Sequence, residues 1–286
     1  MFGFNLFITM AYQLIADTTF IAFDVETTGL YPVAGRVVEL SGVKFTIDSG
    51  VIATFDELIN PQSPIPPEVV RIHGITDAMV AERPTADLIV PRFLEFIGGP
   101  EMVLISHNAS FDVGFVGVDI ARQGIADPGN LILDTLVLAR HCLPSLGSYK
   151  LENLVRYFNI PSQNYHRALA DSFSVKEIFL SLLQRYPKIK TIEQVQQKTY
   201  TFHFSDAATF QVQLPPGFED LAWAMENSLP VVMVYKGGSK GPEPRIITPL
   251  AAIQRNGIIY VAAYCHLDKV EKSFRLDRIK EFRIKK

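Results

Sequence analysis

Residues 20–29, which read F-I-A-F-D-V-E-T-T-G, constrain the fold of this chain more than any other stretch. The apolar and aromatic residues that open it are typical of a short buried strand. Side chains alternate along a strand, so we expect Asp24 and Glu26 on one face, at its carboxyl end. Two carboxylates that close repel each other, and a shared divalent cation such as Mg²⁺ or Mn²⁺ removes the repulsion. The alternative is a strand end whose acids simply reach water.

The rest of the first 187 residues predicts an α/β layered domain. Two further strands, at 36–47 and 51–59, are joined by the turn Asp48-Ser49-Gly50. After a proline-rich loop, hydrophobic periodicity predicts helices at 68–73, 77–81 and 85–97, a buried strand at 102–105, and helices at 110–123, 134–142, 149–158 and 168–186. Antiparallel strands followed by alternating strands and helices are typical of this fold class.

The remaining residues predict a linker and a second, smaller domain. We place the first domain at 1–187, the linker at 188–216 and the second domain at 217–286. Alternating apolar and polar residues at 200–214 predict a hairpin around Ser205-Asp206. The second domain shows one helix at 218–228 and strands at 230–236, 244–255, 258–265, 271–277 and 280–284. Short strands with close turns favour a small β-barrel.

Charge is divided unevenly between these two regions. The formal net charge is only −3, which gives no bulk attraction to nucleic acid. Residues 1–216 carry 15 Lys and Arg against 22 Asp and Glu, whereas residues 217–286 carry 12 against 8. A bound metal would offset the acidic region, and the basic region is suited to an anion.

The cysteines and the apolar N-terminal residues indicate in which cellular compartment the protein is expected. Cys142 and Cys265 form no C-x-x-C motif, which excludes a zinc motif or a disulfide framework and fits a reducing cytoplasm. Residues 1–16 are apolar but lack a basic region before the apolar run. We therefore expect a strand or helix packed on the first domain rather than a signal peptide or membrane anchor, with initiation at Met10 as an alternative.

Two later segments carry partners for Asp24 and Glu26. In the segment 105–112, His107, Asn108 and Asp112 follow a buried strand and enter a helix. In the segment 165–171, His166 and Asp171 stand five residues apart and would not share one face of a helix. They converge if His166 lies in the loop and Asp171 in the first helical turn. Taken singly, each has an alternative: a helix-terminal charge for Asp112, a surface histidine for His166, and a cap or polar core residue for His107.

Together, these motifs resemble the DEDDh 3′–5′ exonuclease family, which includes the proofreading subunit of bacterial replicative polymerase. The matching segments are F-D-V-E-T-T-G (23–29), R-I-H-G-I-T (71–76), H-N-A-S-F-D (107–112) and H-R-A-L-A-D (166–171). The resemblance covers residues 18–186. It implies an RNase H-like fold, in which a mixed sheet is flanked by helices.

The resemblance also implies a site and a mechanism. Two Mg²⁺ or Mn²⁺ ions would be held by Asp24, Glu26, Asp112 and Asp171, and His166 would accept the proton of the attacking water. A 5′-mononucleotide would leave. The residues implied in substrate binding are Thr27, Thr28, Gly29, Leu30, His73, His107, Asn108 and Phe111, with core packing as the alternative for Phe111.

The C-terminal region resembles the WYL domain, an SH3-like barrel of bacterial regulators. The matching segments are P-R-I-I-T-P (244–249), G-I-I-Y-V-A-A-Y (257–264) and S-F-R-L-D-R-I (273–279). The triplet that names the family reads Ile259-Tyr260-Val261 here, so two of its letters differ. The resemblance implies a nucleic-acid or nucleotide-like ligand and a regulatory role, and a plain structural barrel is the alternative. The expected ligand surface comprises Tyr235, Arg245, Tyr260, Tyr264, Arg275 and Arg278.

These expectations converge on a cytoplasmic, metal-dependent 3′–5′ exonuclease that acts on single strands or overhangs of DNA. An exoribonuclease is the second hypothesis, since the same site serves both nucleic acids. A non-catalytic nucleic-acid or nucleotide sensor is the third. The expected partners are nucleic acid, with DNA favoured over RNA, and a polymerase or another replication or repair protein. No membrane partner is expected.

Overall fold

The structure is a computed structural model that describes residues 12–161, 166–210, 212–237, 241, 243–255 and 258–285. Residues 1–11 lie outside this part of the chain, so the packed element expected there stays a prediction. The described residues form two β-sheets and nine α-helices. None of those helices is long and apolar enough to cross a membrane.

The first sheet contains six strands, and its first strand is buried except at Asp24 and Glu26, which are half-buried. Its strands are β1 (Phe20–Thr27), β2 (Val37–Thr46), β3 (Gly50–Leu58), β4 (Val103–Ser106), β5 (Leu131–Asp134) and β6 (Thr201–Phe202). Their order across the sheet is β3-β2-β1-β4-β5-β6. Strand β1 runs antiparallel to β2 and parallel to β4. The mixed sheet of the predicted RNase H-like fold is therefore confirmed.

Helices cover both faces of this sheet, and β1 contributes to both cores. They are α1 (Pro67–His73), α2 (Asp77–Val80), α3 (Ala86–Ile97), α4 (Ser110–Arg122), α5 (Thr135–Cys142), α6 (Leu151–Tyr157), α7 (Ala168–Arg185) and α8 (Ile192–Gln196). Phe20 and Ala22 pack in the cluster that includes α7, whereas Ile21 and Phe23 pack with α3 and α4. Because side chains alternate along β1, Asp24 continues the face that looks toward α7.

Residues 201–210, which lie between the two domains in sequence, pack with the first sheet. The hairpin predicted around Ser205-Asp206 is therefore wrong. Strand β6 instead pairs antiparallel with β5, and a 3₁₀ helix spans Phe204–Phe210. Phe204 is fully buried against Phe23, with ring centroids 6.0 Å apart. Its carbonyl lies so close to Gly117 of α4 that a Cβ there would clash. Burial of Phe204 thus favours a turn into the core over a second hairpin strand.

The C-terminal sheet is antiparallel throughout and has five strands, as expected. A helix, α9 (Glu219–Glu226), precedes β7 (Val231–Tyr235), β8 (Arg245–Arg255), β9 (Ile258–Cys265), β10 (Val270–Arg275) and β11 (Ile279–Ile284). The order is β10-β9-β8-β7-β11, and no pairing among the described residues joins β10 to β11. The closed SH3-like barrel that we expected is therefore not seen. A register shift between Pro249 and Ala251 interrupts β8, where proline cannot donate to the ladder.

The two sheets contact each other through the loop that follows β1. Tyr31 packs in a small apolar cluster with Ala251, Ile253 and Ala262 of the C-terminal sheet. The Tyr31 hydroxyl also forms a 2.6 Å hydrogen bond with Ser273 Oγ on β10. One face of the C-terminal sheet therefore lies directly against the end of β1, where the candidate acids are.

Candidate active site

Three of the four predicted metal ligands meet at the carboxyl end of β1. Asp24, Glu26 and Asp171 each offer a carboxylate oxygen, and these atoms lie within 4.8 Å of one another. Asp24 and Glu26 share a face because they are two residues apart on β1, and Asp171 reaches them from the first turn of α7. The arrangement brings together the acids of the first and last motifs.

Asp112 stands beside this group, fixed by two hydrogen bonds. Its Oδ1 accepts from the Val25 backbone N–H at 3.1 Å, and its Oδ2 accepts from Ser106 Oγ at 2.5 Å. Within the described residues it is not one of the three mutually close carboxylates, yet its charge raises the pKa of Asp24. The four predicted ligands thus form one electrostatic unit, with Asp112 held at its edge.

Burial raises the pKa of every acid in the unit, and repulsion from the other acids of the unit adds to the shifts of Asp24 and Glu26. Burial is the largest cause for Asp24, whose pKa lies well above its usual range, and the charges of Asp112 and Glu26 add to it. Burial and the charge of Asp171 raise the pKa of Glu26 to about 8. Burial raises the pKa of Asp112 to about 7 and that of Asp171 to about 6, although hydrogen bonds and the nearby His166 oppose these shifts.

The donor set fits hard divalent cations. All four ligands are carboxylates, which Mg²⁺ and Mn²⁺ prefer, and a cation would relieve the repulsion that raises their pKa values. Within the described residues, the buried Oδ1 of Asp171 has no hydrogen-bond partner. A ligand oxygen left in this state is suited to coordinate a metal.

His166 lies in the loop before α7, as the spacing required. Its backbone has φ +63°, and its backbone hydrogen bond to Asp171 lowers the pKa of that acid. The ring Nε2 is 3.2 Å from Oε1 of Glu152 on α6, and the side chain is 46% exposed. When Nε2 donates to Glu152, Nδ1 is left able to accept a proton.

Sequence reasoning missed a buried ion pair that fixes the start of α7. Glu39, 1% exposed, lies opposite Glu26 on β2 and accepts from Arg167 Nε at 3.0 and 3.1 Å. Its Oε2 also accepts from the Ala168 backbone N–H at 2.8 Å. Glu39 thus holds Arg167, which caps α7, and Ala168, which begins the turn carrying Asp171. A lone acid inside the apolar run V-V-E-L was the signal that could have revealed it.

The residues predicted to bind the terminal nucleotide line one cavity of about 330 Å³ next to Glu26. Thr27, Thr28, Gly29, Leu30, His73 and Phe111 all contribute to its wall. His73 Nδ1 accepts from the Ile75 N–H at 2.9 Å, so Nε2 donates to the Thr27 carbonyl at 3.3 Å. Burial lowers the pKa of His73. Leu30 is 55% exposed and projects beside Phe111, whose ring packs on Phe115.

His107 and Asn108 occupy different positions relative to this cavity. His107 Nε2 bonds to the Tyr149 carbonyl at 2.8 Å and Nδ1 to Thr135 Oγ1 at 3.1 Å, and burial lowers its pKa to about 4. Both ring nitrogens are thus occupied within the protein, which favours a role in holding the loop. Asn108 is exposed with φ +67° and lines a neighbouring cavity together with Leu30 and Phe111.

The six residues of the expected C-terminal ligand surface do not form one surface. Tyr235 and Arg245 are buried, and the Tyr235 hydroxyl accepts from the Arg275 backbone N–H. The Arg275 guanidinium pairs with Asp277, and Arg278 extends toward Gly237. Tyr260 and Tyr264 lie on the face of β9 that looks toward the first domain: Tyr260 packs by Tyr31, and Tyr264 lines the cavity next to Glu26.

A mixed sheet that delivers buried carboxylates from its central strand, completed by an acid from a flanking helix, defines an RNase H-like nuclease. The comparisons with known proteins agree. The chain belongs to the exonuclease family, because the family model described as "Exonuclease" matches residues 21–179. A WYL domain model matches residues 216–284.

Relatives and solved structures give the same assignment. The "DNA polymerase III PolC-type" of Caldanaerobacter subterraneus is 35% identical over 178 residues, which are 62% of this chain and 12% of that protein. The chain thus spans about an eighth of the length of such relatives. The structure described as "Exonuclease X in complex with 5' overhanging duplex DNA" is 27% identical and gives a TM-score of 0.50. The aligned region covers 62% of this chain and 98% of the Exonuclease X chain.

A third similarity extends into the C-terminal sheet. The structure of E. coli Exonuclease I in complex with a dT13 oligonucleotide gives a TM-score of 0.56 at 19% identity. The aligned region covers 86% of this chain and 55% of the Exonuclease I chain. At that identity the likeness concerns the fold alone.

Proposed function

We propose that this protein is a metal-dependent 3′–5′ exonuclease that removes 5′-mononucleotides from single strands or overhangs of DNA. The observation that carries the proposal is the cluster of Asp24, Glu26 and Asp171, with Asp112 beside it, next to a cavity large enough for one nucleotide. DNA is favoured because the named relatives are DNA polymerases and a DNA-bound exonuclease.

The four acids would hold two Mg²⁺ or Mn²⁺ ions. When bound, such ions lower the pKa of an attacking water and neutralise the charge that develops on the leaving 3′ oxygen. His166 would accept the proton of that water at Nδ1 while Glu152 holds Nε2–H. Thr27, His73 and Leu30 would orient the terminal nucleotide in the cavity.

One assay separates the function hypotheses. A 5′-labelled single strand is incubated with Mg²⁺ or Mn²⁺, and we expect a ladder that shortens from the 3′ end, together with free 5′-mononucleotide. A matched RNA strand tests the exoribonuclease alternative. Binding of either strand without shortening, under both metals, would favour the sensor and contradict the enzymatic proposal.

The C-terminal domain and the partners are further parts of the proposal. We infer that the domain binds nucleic acid or a nucleotide-like ligand and regulates the first domain, because a WYL model matches it and its residues are net basic. The relatives named as polymerases favour association with a polymerase or another replication or repair protein. Co-elution of the purified chain with such a polymerase on a sizing column would test that association.

A further inference from the structure

The nucleotide cavity is closed on one side by the C-terminal sheet. Glu26 and Thr27 of β1 line it together with Tyr264, Val270 and Glu271 of β9 and β10. These three residues lie outside the part of the chain that the exonuclease family model matches. The cavity is therefore composite, with walls from both domains.

Glu271 makes the closest connection across the cavity. Its Oε2 accepts from the Leu30 backbone N–H at 2.9 Å. A Cβ on Gly29 would lie 2.7 Å from its Oε1, so a larger residue at position 29 would force the Glu271 carboxylate to shift. Burial raises the pKa of Glu271, the charge of Glu68 adds to the shift, and the Leu30 hydrogen bond opposes it. Among the described residues that line the cavity, none is an arginine or a lysine.

We propose that the C-terminal sheet completes the pocket for the 3′-terminal nucleotide, and that Glu271 selects bases that carry an exocyclic amino group. This inference rests on the proposed exonuclease function and adds a specificity determinant to it. Glu271 has a second role in holding the Leu30 segment through the hydrogen bond described above.

The chemistry of the bases gives the direction of the preference. An ionised carboxylate only accepts hydrogen bonds, and Glu68 contributes a second carboxylate to the lining of the cavity. Cytosine, adenine and guanine present an amino group, and carboxylates accept from such groups. Thymine has no amino group, and its single N–H lies between two carbonyl oxygens that a carboxylate repels. A terminal thymidine is therefore the disfavoured substrate.

The test uses the full-length protein and oligonucleotides that differ only in the 3′-terminal residue. We expect wild-type kcat/KM for terminal deoxycytidine to exceed that for terminal thymidine about tenfold, as a hydrogen bond to a charged group allows. In Glu271→Gln, the amide can keep the bond to Leu30 while presenting N–H donors, so the ratio should fall to about one or invert. Glu281→Gln, a matched change at an exposed site on β11, should leave the ratio unchanged.

Glu271→Ala separates selection from positioning. Loss of the Leu30 hydrogen bond should lower kcat/KM for all four termini and also remove the preference. An equal deoxycytidine-to-thymidine ratio in the wild type and Glu271→Gln would overturn the proposal. Faster cleavage of every terminus by Glu271→Ala would also overturn it, since Glu271 would then obstruct the pocket.

The pocket can be tested independently of hydrolysis. If the wild type cleaves none of the oligonucleotides, the proposed exonuclease function fails, and calorimetric binding of dCMP and dTMP still measures the preference. Tighter binding of dCMP that disappears in Glu271→Gln would uphold the composite pocket. Equal affinity for the two nucleotides would overturn it.

Discussion

Asp24 and Asp171 lie with Glu26 in a group of like charges whose repulsion is relieved by a bound cation or by protonation. We expect Asp24→Asn and Asp171→Asn to abolish hydrolysis, because each removes a ligand charge. Without metal, neither variant should melt below the wild type, because each substitution removes repulsion between the carboxylates. Each kcal/mol of repulsion removed should raise the melting temperature by ~2–4 °C. Thermal melts with and without Mg²⁺ measure this, with the exposed Asp48→Asn as control. Full activity in either variant would contradict the ligand assignment.

The raised pKa values also set the pH dependence of stability. Carboxylates whose pKa is higher in the folded state bind more protons there, so stability falls as pH rises through the interval between unfolded and folded values. For Asp171, Asp112 and Glu26 the folded pKa values are about 6, 7 and 8. We expect the metal-free protein to lose stability from about pH 4 to pH 8.

The check is a series of melts across that range, in a chelator and in saturating Mg²⁺. Mg²⁺ should flatten the slope, and Asp171→Asn should reduce it in the chelator. A metal-free protein whose melting temperature rises steadily over the same range would contradict the burial of these charges.

His166 and Glu152 form a part of the site that reaches solvent, with side chains 46% and 39% exposed. A positioned general base typically contributes about 10²–10⁴-fold, so His166→Ala should lower kcat by that factor and leave Mg²⁺ binding intact. Glu152→Gln should cost less than about fivefold, because exposed ion pairs are weak. Single-turnover rates at saturating metal measure both. If His166→Ala instead needs far more metal to reach a normal rate, His166 is a ligand.

At the scale of elements, the Glu39–Arg167 pair anchors α7 to β2 asymmetrically. Glu39 is buried, whereas the Arg167 side chain is 40% exposed. Arg167→Met therefore leaves an uncompensated buried carboxylate and should cost about 3–5 kcal/mol in the free energy of unfolding. Glu39→Gln should cost less, since Arg167 can reach water. Urea unfolding of the two variants and of the double variant measures the difference, and equal losses would contradict the asymmetry.

The elements also show what the sequence could and could not reveal. Asp24, Glu26 and Asp171 were predictable because strand alternation and the first turn of a helix place side chains by simple geometry. Strand β5 was missed because its apolar run, Leu131–Leu133, is too short to distinguish from the helix that follows. The alternating aromatics at 200–204 did predict extended chain, but only tertiary packing of Phe204 decides that it turns inward.

At the scale of the whole molecule, local sequence also did not predict how the two domains contact each other. Composition and motifs identified both domains, yet nothing local to β9 or β10 indicates that Tyr264 and Glu271 reach the loop after β1. The residues expected to form the C-terminal ligand surface lie apart for a related reason: side-chain alternation along a strand does not tell which face of a sheet is covered. Their role in ligand binding stays a prediction. The domain limits at 187 and 217 stay predictions.

A truncation series tests where the first domain ends as a folding unit. Residues 1–187 lack β6 and Phe204, which leaves the edge of β5 unpaired and a large core side chain missing. We expect residues 1–216 to fold and residues 1–187 to aggregate or melt far lower. In the full chain, Phe204→Ala should cost about 3–5 kcal/mol. Equal melting temperatures for the two truncations would show that the segment is dispensable.

The pairing of β6 with β5 also bears on how such a chain can be rearranged at the level of its gene. The exonuclease model stops at 179 and the WYL model starts at 216, but the residues between them include a strand and a core aromatic of the first sheet. A crossover at 179 would cut through α7 and leave the outer edge of β5 unpaired. Recombination that exchanges the C-terminal module therefore preserves the nuclease only when its breakpoint falls between 210 and 216.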